Sequence, residues 1–154
     1  MSTEMTTDMT TDMTTEPTAP ELALSLGLEP HPEGGWYRET WRSSATVVLQ
    51  DGRKRSAATL IWFLLPAGES SRWHRVSSDE IWLAHTGVVE LELGGEGPAP
   101  EAITPHRVSA TSPGESQLLV PAGVWQRTRP GDTDALVSCL VSPGFDFEDF
   151  ELVD

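Results

Sequence analysis

Gly68-Glu-Ser-Ser-Arg-Trp-His74-Arg-Val76-Ser-Ser-Asp-Glu80, closed seven residues later by Gly87, is the stretch on which the reading of this chain turns. Side chains alternate between the two faces of a strand. If His74 faces inward, Arg72 and Val76 share its face and Trp73 and Arg75 point away. On the following strand Glu80, Trp82 and Ala84 share one face, with Ile81 and Leu83 on the other. Two polar groups suited to chemistry, an imidazole and a carboxylate, thus stand on neighbouring inward faces.

The surroundings of this stretch are those of an all-β domain. Trp36 to Arg42, Thr46 to Leu49, Ala57 to Leu65, Glu80 to Ala84, Val88 to Leu93, Ile103 to Val108, Gln117 to Val120, Trp125 to Thr128 and Ala135 to Val141 read as strands, most of them separated by Gly or Pro. Many short strands at this spacing predict a sandwich or barrel. The run over 57–65 is nearly all apolar, which predicts a central strand covered on both faces. Glu21-Leu-Ala-Leu-Ser-Leu-Gly-Leu28 carries apolar residues on a helical period and stops near Gly27 and Pro30, predicting one short helix. Residues 1–20, with Thr-Thr-Asp-Met at 6–9 and again at 10–13, are too poor in apolar side chains to offset ordering entropy. They read as a disordered tail ahead of a single domain over 21–154.

A net charge of -14 argues against nucleic acid or an anionic membrane surface as partner, because phosphates are repelled. No apolar run is long enough to span a membrane, and the start lacks the basic and apolar parts of a signal peptide. The single cysteine, Cys139, lies in an apolar run, which fits a buried, inert thiol and a cytoplasmic protein. Arg53-Lys54-Arg55 follows Asp51-Gly52 and reads as a solvated hairpin loop. The acidic segment Phe145-Asp-Phe-Glu-Asp-Phe150 is expected to lay its rings over the outside of the domain or across a subunit boundary.

The spacing from Gly68 to Gly87 resembles the first cupin motif, in which two histidines and a glutamate between glycines frame a metal site. Gly114 through Pro121-Ala122-Gly123-Val124-Trp125-Gln126 resembles the second. His31-Pro-Glu-Gly-Gly-Trp-Tyr-Arg-Glu-Thr40, Trp73 to Trp82, Val120 to Gln126 and Ser142 to Phe150 narrow the resemblance to the domain-of-unknown-function 985 cupins, or cupin type 5, over residues 22–152. That resemblance implies a double-stranded β-helix (jelly-roll) barrel, commonly paired into a homodimer, and a likeness to sugar epimerases and isomerases of the same barrel.

Placed on the cupin pattern, Glu80 lies beside His74, and Gln126 approaches from the second motif. The chain departs from the pattern in two places: Val76 stands at the second histidine and Gln126 at the third. A divalent metal would retain only His74 and Glu80 as good ligands, fewer than the three or four such a site uses. His85 and His106 fall outside the expected interior. Metal-free acid–base chemistry is therefore the preferred expectation, with no cofactor. A histidine beside a carboxylate has its imidazolium form favoured, which suits a general base near neutral pH. His74 is the candidate base, and Tyr37 or Glu80 the acid. Glu39, Arg72, Trp82 and Gln126 are the candidate substrate contacts. Trp73, Trp82 and Trp125 are the candidate aromatic walls, with Trp41 and Trp62 assigned to core or interface. The expected activity is that of an isomerase, epimerase or lyase on a polar, sugar-like molecule. The alternatives are a non-catalytic ligand-binding cupin and a metal-dependent enzyme with an incomplete ligand set.

Overall fold

The computed structural model describes residues 19–153; the expected tail therefore lies, but for its last two residues, outside the described residues. Those last two belong to the fold. Helix α1 spans Ala19–Leu26, two residues earlier than expected, because Pro20 suits a first helical turn and Ala19 is buried. An eight-residue helix is too short to persist alone. It is held by packing Ala19 and Ala23 on Leu64 and Leu136. Its end is set by Gly27 at φ +70°, with Leu28 N–H donating to the Ala23 carbonyl and Gly27 N–H to that of Leu24.

Thirteen strands follow among the described residues: β1 Glu29–Pro30, β2 Trp36–Arg42, β3 Thr46–Val48, β4 Lys54–Ser56, β5 Thr59–Leu65, β6 His74–Val76, β7 Asp79–Thr86, β8 Val88–Leu93, β9 Thr104–Ser109, β10 Gln117–Val120, β11 Gln126–Arg129, β12 Ala135–Ser142 and β13 Phe150–Leu152. They form a six-stranded sheet in the order β1-β2-β5-β12-β7-β10, a five-stranded sheet β13-β6-β11-β8-β9, and the β3-β4 hairpin. This is the double-stranded β-helix expected. Strand β5 is inside the large sheet and covered on both faces: Ile61, Phe63 and Leu65 face the barrel, while Trp62 and Leu64 face α1. Gly87, the second motif glycine, turns β7 into β8 at φ +71°, where a Cβ would strike the Asp134 carbonyl.

Two expectations fail here. Arg53-Lys54-Arg55 is not a solvated loop, because Lys54–Ser56 pairs with β3 and Arg55 is buried. The Phe145–Phe150 segment does not lie on the outside. Its 3-10 turn at Phe147–Asp149 and strand β13, paired to β6, carry it across the mouth of the barrel. One cause serves both: Arg55 donates to Asp149 and Glu148 at 2.8 Å each, and Arg53 reaches the same two carboxylates at 3.1 Å. The basic hairpin pins the acidic strap. Arg55→Ala is expected to free it, with faster chymotryptic cleavage at Phe145, Phe147 or Phe150 than in the wild type. Equal cleavage would show that β13 pairing alone holds the strap.

Candidate active site

The barrel encloses a cavity of about 510 Å³. Its floor holds His74 and Glu80, its wall Tyr37, Phe63 and Trp82, and its rim Phe145, Phe147 and Phe150 of the strap. The three strap rings pack edge to face at 4.8 to 6.1 Å, and His31 sits among them and Tyr37.

The carboxylate bonded to His74 is Glu33, not Glu80. Glu33 Oε1 lies 3.1 Å from His74 Nε2 and 3.5 Å from His31 Nδ1. The loop before β2 places it there. Gly34 at φ +111° lets its N–H turn back to the His31 carbonyl, and the Glu33 carbonyl accepts the Arg72 N–H at 2.7 Å. His74 Nδ1 lies 2.7 Å from the Arg72 carbonyl. A carbonyl only accepts, so Nδ1 carries the hydrogen and neutral His74 presents a lone pair at Nε2. Glu33 must then be the donor.

The ionisation tendencies agree with that assignment. Burial pushes the Glu33 carboxyl well up, and the neighbouring Glu80 charge adds to it. Burial lowers His74 to about 4, against the Arg72 hydrogen bond, which pulls the other way. The expectation that a carboxylate would favour the imidazolium is thus overturned: desolvation outweighs the partner. Near neutral pH the pair is O–H···N rather than an ion pair. His31 is likewise lowered to about 4, by burial and then by the like charge of His74.

Glu80 forms a second network. Gln126 Nε2 donates to Glu80 Oε1 at 2.8 Å, and Gln126 Oε1 accepts from Trp82 Nε1 at 3.0 Å. An indole N–H only donates, which fixes which way round the amide sits. Burial raises Glu80 also, while its bonds from Gln126 and Cys139 pull it down. Cys139 is buried, and its thiol is pushed well up, first by burial, so it stays protonated.

Of the expected residues, His74, Glu80, Tyr37, Glu39 and Trp82 border the cavity. Tyr37 stays a phenol, raised first by burial and then by Glu29 and Glu39. Glu39 reaches the rim but is held by Arg42 in two bonds of 3.0 and 2.7 Å. Gln126 lies behind Glu80, fully buried, and positions it rather than facing the cavity. Arg72 is the clear miss. Strand β6 starts only at His74, so the alternation does not extend back to Arg72. Its side chain is exposed and donates to the Pro32 carbonyl, and only its backbone serves the site. Trp73 and Trp125 are not walls either; Arg127 and Arg75 stack on them, 4.7 and 4.3 Å from the ring centres. His85 bonds Ser138 outside the cavity, and His106 lies within β9, also outside it. Glu33 and His31 were missed by strand alternation because they sit in a loop. Two titratable residues just before Gly34-Gly35, which frees the backbone to fold back, are the signal for them.

The donor set does not fit a transition metal as arranged. Val76 offers nothing, the Gln126 carbonyl is taken by Trp82, and His74 Nε2 is taken by Glu33. Among the described residues no group of three His, Cys, Asp or Glu side chains is disposed around a common point.

The two buried histidines make the protein sensitive to acid in one window. Between pH 6.5 and about 4 the unfolded chain takes up protons that the folded imidazoles refuse, so their contribution is lost as pH falls. Glu33 and Glu80 act oppositely, holding protons in the fold that the unfolded chain releases as pH rises. NMR of the imidazoles should show two that remain neutral well below pH 6.5; an imidazolium signal from His31 or His74 at that pH contradicts the neutral pairing.

Fold and cavity together define a small double-stranded β-helix barrel with a buried polar site opening through an aromatic rim. The chain belongs to the cupin superfamily family DUF985 (Cupin_5), whose pattern matches residues 20–153. A hypothetical protein from Leishmania major is 34% identical, covering 89% of this chain and 88% of its own, with a TM-score of 0.80. A protein from Shewanella oneidensis is also 34% identical, covering 90% and 86%, with a TM-score of 0.78. KdgF from Halomonas sp., at 16% identity over 79% and 89% with a TM-score of 0.56, shares the fold alone. No curated protein matches the chain.

Proposed function

We propose that the cavity binds a small polar molecule and moves a proton on it without a metal, as an isomerase, epimerase or lyase does. The observation that carries this reading is the neutral Glu33–His74 pair, both groups buried, at the wall of a ligand-sized cavity. Glu33 takes the acid's role assigned to Tyr37 or Glu80, and His74 remains the base. As Glu33 gives its proton to a substrate oxygen, His74 Nε2 loses its hydrogen bond and accepts a proton from the adjacent carbon. The enzyme passes from a neutral pair to a carboxylate–imidazolium pair, and the substrate becomes an enol. Return of the imidazolium proton to another face or carbon, with the enol hydroxyl giving its proton back to Glu33, yields an epimer or isomer and restores the neutral pair. Loss of a β-substituent gives the lyase outcome. Glu80, fixed by Gln126, and Tyr37 orient the ligand.

A second reading, a binding module without turnover, is favoured by one observation: every buried side-chain polar atom among the described residues has a partner. The same proposal keeps the protein in the cytoplasm, which the buried lone cysteine supports. It also keeps the homodimer, supported by the exposed Trp41 of β2 and Val48 of β3. Among the described residues no helix is long and apolar enough to cross a membrane.

Transfer of solvent deuterium into carbon positions of a sugar panel tests the main reading. Exchange that is lost in His74→Ala is expected. Tight binding with no exchange on any member leaves the binding module in its place.

A further inference from the structure

The ionisable side chains around the cavity are mostly acidic. Glu33, Glu39, Glu80 and Asp146 border it, against a single guanidinium, Arg42. Arg42 is already committed: it holds Glu39 in two bonds and donates to the Phe145 carbonyl at 3.1 Å. His31 and His74, the other basic side chains on the wall, are buried and neutral. An anionic group entering here would be stripped of water with no cation to meet it, a cost nothing in the wall offsets. A cation meets the reverse. Six aromatic rings, Tyr37, Phe63, Trp82, Phe145, Phe147 and Phe150, border the same space, and ring faces attract organic cations.

We propose that the natural ligand carries an ammonium group, seated between the Glu80 carboxyl and the aromatic wall, as an amino sugar or a related hydroxylated amine would. The inference rests on the cavity being the ligand site described above, and narrows the class of molecule it takes. Carboxylate and phosphate sugars would find no uncommitted cation on this wall.

An ammonium seated beside Glu80 favours the ionised form of that carboxyl, against the burial that raises it. Glu80 is faced by Gln126 and Trp82 from below, by Cys139 from β12 and by Glu33 and His74 across the cavity; Tyr37, Glu39, Arg42, His31 and Asp146 complete the ionisable surroundings. None of these is a free cation that would compete with the ligand's ammonium for Glu80. The Glu33–His74 pair keeps its own proton for the chemistry.

Calorimetry with three analogues at one ring scaffold tests this: D-glucosamine, D-glucose and D-glucuronate, with choline as an ammonium that is not a sugar. Glucosamine is expected to bind at least about tenfold tighter than glucose, with glucuronate weaker still. In Glu80→Gln, which keeps an amide able to bond Gln126, the preference for the amine should collapse to within about twofold. Equal binding of glucosamine and glucose by the wild type overturns the inference while leaving a sugar site intact. So does a preference for glucuronate, or the absence of binding by both ammonium probes at millimolar concentration. Absence of deuterium exchange on every analogue, whatever its charge, counts against the proposed chemistry instead.

Discussion

Glu33→Gln should lower proton exchange on substrate carbon by at least about 100-fold while leaving the barrel folded. The amide presents an N–H where the protonated carboxyl presents an O–H, so the 3.1 Å contact with His74 Nε2 survives. What disappears is an acid able to part with its proton and take it back. The variant also separates chemistry from stability through its pH dependence. Wild-type Glu33 is raised well above its ordinary range in the fold, so the folded state keeps a proton that the unfolded chain releases from about pH 4.5 upward. That difference subtracts from wild-type stability as pH rises toward the raised value. Glutamine has no such proton. The melting temperature of Glu33→Gln should therefore climb relative to the wild type from mildly acidic to alkaline pH. No relative change over that range would mean that Glu33 is ionised in the fold, and the neutral pair would be wrong.

Gln126→Leu should cost about 2–4 kcal/mol, read as a lower denaturant midpoint at unchanged slope. Leucine matches glutamine in bulk but offers neither donor nor acceptor. Two buried groups then lose their partners together, the Trp82 indole N–H and the Glu80 carboxyl. Each such orphan costs roughly 1–3 kcal/mol, and neither is exposed enough for water to take over. The companion change Trp82→Phe removes only one end of the chain of bonds and should cost less than Gln126→Leu. A loss under about 1 kcal/mol in Gln126→Leu would show that Glu80 is held by Cys139 and the wall rather than by the amide.

The extent to which this site could be read in advance follows the regularity of the backbone. Where the register is regular, as over residues 79–84 of β7, alternation put Glu80 and Trp82 on one face, the face that borders the cavity. Arg72 was misplaced because β6 has three residues, too few to carry a period past His74. Glu33 and His31 enter from a loop whose course depends on a left-handed glycine and on the Arg72 amide it happens to meet. Neither is visible as a pattern. The strap was misread for another reason. Its phenylalanines could cover any apolar surface, and what decides between surfaces is the pairing of Asp149 with Arg55, 94 residues away.

One small circuit has a practical consequence. The Glu33 carbonyl takes the Arg72 amide hydrogen, the Arg72 carbonyl takes the His74 Nδ1 hydrogen, and Nε2 of the same ring returns to the Glu33 side chain. Three residues from two segments thus close a ring of hydrogen bonds, and no member can leave without loosening the other two. The rate at which the Arg72 amide hydrogen exchanges with heavy water becomes a gauge of whether the acid and the base are still coupled. It can be followed in the free protein, with no substrate in hand.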